Sequence, residues 1–154
     1  MADHTVALHE LKYRYLRTLD TKRWAEFADT LCEDIVANYG SHAGDRELRF
    51  DGRDAVVEYM SGAMGANLTS THSVSHPEIS ISGDEATGSW LLQDVVLIPA
   101  KKLEIRGSAY YRDRYRCEDG VWRIAETGYE RIYETLTSYG GQPGYRVLAN
   151  MWAG

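Results

Sequence analysis

From residue 69 onward the chain changes to a period of two, and this change restricts its fold more than any other feature. Leu68 to Ser82, Ala86 to Ile98, Leu103 to Cys117 and Val121 to Tyr133 read as four long strands. They are separated by Gly83-Asp84-Glu85, Pro99-Ala100-Lys101-Lys102 and Glu118-Asp119-Gly120. Short turn-forming connections between consecutive alternating segments specify an antiparallel meander.

Ahead of the meander the period is helical. Leu8, Leu11, Tyr15 and Leu19 fall on one stripe of a helix running from Val6 to Leu19, which places Tyr15 on the buried side. Asp20-Thr21 interrupts it, and Lys22 to Leu31 predicts a second helix with Thr21 as its cap. Asp34 to Tyr39 reads as a strand, Gly40 to Asp45 as a loop, Arg46 to Phe50 as a short pairing strand, and Ala55 to Met60 as a third helix. Helices first and a long sheet afterwards define an α+β domain. With 154 residues, one domain is expected, spanning 1–138. Residues 139–154 then form a tail: Tyr139 to Gly144 is hinge-like, and Tyr145 to Trp152 is apolar enough to need cover from its own pocket or a neighbouring subunit.

Composition excludes several function classes. A formal charge of −6 argues against nucleic acid as a partner, because a phosphate-binding surface needs excess Lys and Arg. The run Arg112-Asp113-Arg114-Tyr115-Arg116 is expected to be the solvated face of a strand. No apolar run approaches the roughly 20 residues that span a bilayer, and Met-Ala-Asp-His-Thr has no signal-like character, so the protein is expected in the cytoplasm and off the membrane. Cys32 and Cys117 lack the spacing of a metal site or a disulfide framework and read as small buried hydrophobes. Eleven tyrosines and four tryptophans against two phenylalanines suit a pocket that is apolar in bulk and hydrogen-bonding at chosen points.

A strongly bent sheet around the first helix makes a cone able to hold a small hydrophobic ligand. On the first long strand His72, Val74 and His76 share a face, so both histidines compete for the role of general base, with a bulge at Pro77 able to turn His76 outwards. Asp20 suits either a helix-end role or an acid partner. On the last strand Tyr129, Arg131 and Tyr133 share parity and would set two phenols around a guanidinium, unless Arg131 faces outwards to Glu130 or Glu134. An inward arginine requires a carboxylate or a ligand oxygen.

The chain resembles the SnoaL-like branch of the NTF2-like superfamily, which includes scytalone dehydratase and hexachlorocyclohexane dehydrochlorinase, and within it the bile acid 7-alpha-dehydratases most of all. The resemblance runs from about Leu11 to Glu134. It is carried by Leu11-Lys12-x-x-Tyr15-x-Arg17-x-Leu19-Asp20, Trp24, Ile35-Val36-x-x-Tyr39, His72 followed by Pro77-Glu78-Ile79, Gly88-x-Trp90-x-Leu92-x-Asp94, and Glu126-Thr127-Gly128-Tyr129-x-Arg131-Ile132-Tyr133-Glu134.

The resemblance implies a cone of N-terminal helices packed into a curved, mainly antiparallel sheet. It implies Tyr15 as catalytic phenol, Asp20 as the acid paired with the imidazole, and His72 rather than His76 as the base. Tyr39, Arg131, Tyr129, Trp90 and Tyr133 become substrate-binding residues. The implied activity is elimination of water from a steroid-like or polycyclic substrate, with no metal or organic cofactor. Isomerisation of a ketone on the same dyad and non-catalytic binding of a small hydrophobic ligand are the alternatives. Homo-oligomers, trimers foremost, are implied by the relatives.

Overall fold

A computed structural model of the chain describes residues 3–40 and 48–152. The loop expected from Gly40 to Asp45 falls almost wholly outside the described residues, as does the predicted start of the short strand at Arg46 and Glu47.

The chain opens with helix α1 (His4–Asp20), capped by Asp3, whose side chain accepts from the backbone N–H of Thr5 and Val6 at 3.0 and 3.3 Å. Its apolar stripe is buried as the spacing required: Leu8, Leu11, Tyr15 and Leu19 are all 3% exposed or less. The second helix is shorter than expected. Helix α2 covers only Trp24–Asp29, and Thr21 ends α1 instead of starting α2, its hydroxyl donating to the Arg17 carbonyl at 2.6 Å. Lys22, in the left-handed region at φ 56°, makes the turn between the two helices.

Strand β1 (Leu31–Asn38), strand β2 (Arg49–Asp51) and helix α3 (Arg53–Ala63) follow. The meander is β3 (Thr69–Ser82), β4 (Glu85–Ile98), β5 (Leu103–Glu118) and β6 (Val121–Ser138), with a 3-10 turn at Pro99–Lys101 between β4 and β5. Strand β6 outruns its expected end at Tyr133 by five residues because β5 pairs with it as far as Ser138. The six strands form one sheet ordered β2-β1-β6-β5-β4-β3, with β1 and β6 parallel and every other pair antiparallel.

Helix α1 packs on both β3, at the sheet's edge, and β6, three strands away. Neighbouring strands lie about 4.8 Å apart and a helix is about 10 Å across, so touching both requires the sheet to curl around α1. The core lies inside that curl, where the buried residues of α1 belong to one cluster with Trp90, Leu92, Ala109, Tyr111, Tyr115 and Ile124. Among the irregularities of the sheet, two reverse the parity of residues that strict alternation would put on one face. One lies in β3 between Ser75 and Glu78 and the other in β6, where Ser108 pairs with Tyr133 but Ala109 with Arg131.

After β6 the chain returns along its own surface. Tyr139 stacks on Tyr145 at 4.5 Å, and the Tyr145 hydroxyl donates to Glu104. Farther on, the Asn150 side-chain oxygen accepts from Thr69 at 2.5 Å and the Lys22 ammonium lies 4.2 Å from the Trp152 ring. None of the helices among the described residues is long and apolar enough to cross a membrane.

Candidate active site

Asp20 is the last residue of α1, and His72 lies on the edge strand beside it. One carboxylate oxygen of Asp20 accepts from His72 Nδ1 at 2.6 Å and from the Ser70 hydroxyl at 2.7 Å; the other accepts the His72 backbone N–H at 2.8 Å. Both side chains are mostly buried, 18% and 11% exposed. With Nδ1–H committed to the carboxylate, Nε2 keeps a free lone pair, the arrangement a general base needs. The carbonyl end of α1 also favours positive charge here, so the helix supports the imidazolium that proton abstraction would create.

His72 contributes to the wall of a cavity of about 130 Å³ inside the curl of the sheet. Tyr39, Tyr111, Tyr129, Asp94 and Arg131 share that wall, closed on the α3 side by Tyr59, Met60, Ala63 and Met64. The Tyr39 hydroxyl shares a 2.7 Å hydrogen bond with that of Tyr15, which stands one layer behind the wall and is fully buried. Burial, reinforced by neighbouring phenols, pushes both Tyr15 and Tyr111 well above the ordinary tyrosine range; burial also raises Tyr39. These phenols therefore stay protonated and act as hydrogen-bond donors near neutral pH.

The inward arginine has its carboxylate. Arg131 grips Asp94 through both terminal nitrogens, Nη2 to Oδ2 at 3.0 Å, and Nη2 also reaches Glu134 at 3.2 Å. Both carboxylates thus belong to its surroundings, and Glu134 adds to an inward pair rather than drawing Arg131 out. Asp94 lies directly opposite His72 in the β3–β4 register, which brings this pair to the same cavity. Gly107 makes room for it: a Cβ there would collide with Arg131 Nη1.

A second hollow, of about 460 Å³, runs between α1 and β3 on the outer side of the dyad and is lined by Tyr13, Leu16, Arg17, Asp20, His72 and Val74 among others. His72 therefore borders both spaces.

Two sequence expectations require correction. Tyr133 is not with Tyr129 and Arg131: the bulge at Ile132 turns it to the opposite face, where it is 51% exposed. Trp90 is fully buried beneath the cavity, its indole N–H donating to the Tyr115 hydroxyl at 2.8 Å, and does not line the cavity. Of the two readings left open for His76, the outward turn at the Pro77 bulge holds: it does not share the face of His72. With φ at 50° in the bulge it is exposed beside Leu91, Tyr110 and Arg112 on the outer face, bonded to Ser75 at 2.9 Å.

Sequence reasoning did not single out one buried ion pair. Lys12 and Asp113, both fully buried, meet at 2.7 Å. Asp113 also accepts from Thr127 at 2.7 Å and from the Tyr115 hydroxyl at 2.8 Å. The signal was present: Lys12 lies on the α1 stripe one position after Leu11, and Asp113 shares the inward parity of Tyr111 and Tyr115 within the run read as a solvated basic face. Arg112 and Arg114 of that run are indeed exposed.

Among solved structures, a protein assigned as a scytalone dehydratase from Novosphingobium aromaticivorans superposes with a TM-score of 0.76 at 20% identity, covering 86% of each chain. A hexachlorocyclohexane dehydrochlorinase from Novosphingobium barchaimii gives 0.77 at 15% identity over 96% of this chain and 95% of its own. A protein of unknown function from Mycobacterium tuberculosis gives 0.71 at 25% identity over 83% and 71%. The first two likenesses establish the shared cone. The profile of the SnoaL-like domain matches residues 2–128, from the cap of α1 to the strand that carries Tyr129 and Arg131, and the protein belongs to the SnoaL-like family.

Proposed function

We propose that the protein is a cofactor-independent carbon–oxygen lyase that removes water from a hydrophobic ring substrate. The observation that carries this reading is the Asp20–His72 contact of 2.6 Å at the wall of a cavity lined by phenols. His72 Nε2 takes a proton from a carbon next to an activating group, and Asp20 stabilises the imidazolium. The C–H electrons collect as an enolate on the activating carbonyl and then form the new double bond as the C–O bond breaks, and the departing hydroxyl leaves as water with a proton from Tyr39. Tyr15 holds Tyr39 in place and resupplies that proton, and the proton on His72 later returns to the phenols. Such a base contributes about 10²–10⁴ in rate. Scytalone dehydratase and dehydrochlorinase folds among the solved likenesses support an elimination.

Size limits how a steroid-like or polycyclic substrate binds. The inner cavity of about 130 Å³ is smaller than the roughly 300 Å³ at the low end for drug-sized ligands. The reacting ring fills the cavity and the remainder lies along the hollow between α1 and β3, so that His72 stands where the two parts meet. Arg131 and Asp94 polarise the inner end. Exposed Tyr110, Ile132, Tyr133 and Leu136 on β5 and β6 support assembly into a homo-oligomer, with a trimer preferred, which sedimentation would measure.

The test is incubation with hydroxylated polycyclic ketones, free and as thioesters, followed by mass spectrometry. Loss of one water that disappears in His72→Ala supports the lyase. Exchange of a carbon-bound proton for deuterium without loss of water would replace it with an isomerase, and neither outcome would leave a binding module.

A further inference from the structure

Lys12 is a buried cation outside the Asp20–His72 dyad. Its Nζ lies 3.3 Å above the centre of the Tyr111 ring and 5.0 Å from that of Tyr15, with Asp113 at 2.7 Å. Tyr111 is cavity wall, and Tyr15 is hydrogen-bonded to Tyr39, which is also cavity wall. Lys12 therefore touches one phenol of the cavity wall directly and reaches a second through the Tyr15 hydrogen bond. The charges nearer the cavity are Asp20, Asp94 and Glu134 against Arg131 and the imidazolium that His72 becomes, a balance still net negative by one charge where an enolate would form beside the phenols. Asp113 does not simply cancel Lys12 at the rings, because the ammonium lies directly over the Tyr111 face while the carboxylate also faces Thr127 and the Tyr115 hydroxyl.

A purely structural role explains this poorly. Buried ion pairs are often replaced by apolar residues with no loss of stability, and here burial pulls the Lys12 pKa below its ordinary value although Asp113 works against the fall. An apolar residue at this position would hold α1 to the sheet without that cost, but it would present no charge to the rings.

The geometry points to Lys12 as a positioning residue: Asp113 fixes its ammonium against Tyr111 and Tyr15 so that the cavity's phenols meet developing negative charge from a region of positive potential. This rests on the reading of the cavity as the place where an enolate forms. Lys12 touches no substrate; it acts through the rings.

The probe is 4-nitrophenol, which is about the size of the cavity, mimics an enolate when ionised, and populates both forms near neutral pH. The affinity ratio of phenolate to phenol is measured for the wild type, Lys12→Met and the double variant Lys12→Met/Asp113→Asn. The ratio is expected to fall about tenfold, one pKa unit, in Lys12→Met, where Asp113 is left as a bare anion. The double variant is expected to fall in between. Equal ratios in all three proteins, or a wild type that binds neither form, would overturn the inference. Where the double variant fails to fold, 15N NMR of the wild-type Lys12 side chain decides: an ammonium at pH 7 supports the role and a neutral amine sinks it. Binding of the probe needs no turnover. A graded ratio without dehydration would leave Lys12's role standing and remove the lyase, while dehydration with equal ratios would do the reverse.

Discussion

Two hydrogen-bonded acid–base pairs join α1 to the sheet, eight residues and therefore about 12 Å apart along the same helix. At the C-terminal end Asp20 meets His72; in the middle Lys12 meets Asp113. They are chemically alike and differ in what is left over. Asp113 is sealed from solvent with both oxygens in use, whereas His72 keeps a free ring nitrogen and borders a cavity and an outer hollow. The sealed pair can only hold and polarise its neighbours. The open pair has a vacant hydrogen-bonding position and a route to it, which are what proton transfer requires.

Separating these roles by mutation is the direct way to break the comparison. His72→Ala is expected to lower turnover by about 10²–10⁴ while leaving the urea midpoint nearly in place, since β3 is an edge strand. A variant that unfolds instead would make the two pairs equivalent.

Lys12→Ala should show the opposite balance. Removing one partner of a buried pair costs about 3–5 kcal/mol, and equilibrium denaturation would record it. A loss below about 1 kcal/mol would mean that water reaches Asp113 after all.

Alkaline pH addresses the sealed region as a whole. Burial raises Tyr15, Tyr39, Tyr111 and Tyr115 above the unfolded value near 10. Above that pH the unfolded chain releases these protons first, so stability falls by about 1.4 kcal/mol per pH unit for each phenol. Lys12, whose folded pKa is lowered, works in the opposite sense until the pH passes its unfolded value. Urea melts between pH 8 and 11 should therefore steepen above 10, and Tyr111→Phe should remove one share of the slope.

The smallest effect is expected at the histidine that the bulge turned outwards. His76→Ala should change neither turnover nor stability by more than about 0.5 kcal/mol. A large loss of activity would reinstate His76 as a functional residue and weaken the assignment to His72.

Much of the fold was legible. The change to a period of two at residue 69, the three turns and the stripe Leu8-Leu11-Tyr15-Leu19 are local patterns imposed by strand and helix geometry. The chosen base, His72, was legible only through the resemblance, because parity alone placed His76 on the same face. Both departures from strict alternation, at His76 and Tyr133, lie at bulges, where one extra residue reverses every later side chain. Pro77 marked the first bulge in the sequence; nothing comparable marked the one at Ile132.

The sequence by itself determined the order of elements, the buried face of α1 and the inward side of each strand up to its first irregularity, because these depend on neighbours a few residues apart. Only the tertiary structure decided the partners: Asp20 with His72, Arg131 with Asp94, Lys12 with Asp113. These pairs join residues 37 to 101 positions apart, brought together by the curl of the sheet around α1. Desolvation lets a buried charge persist only where an opposite charge or hydrogen-bonding groups meet it. That condition is met in space, and a one-dimensional pattern does not contain it.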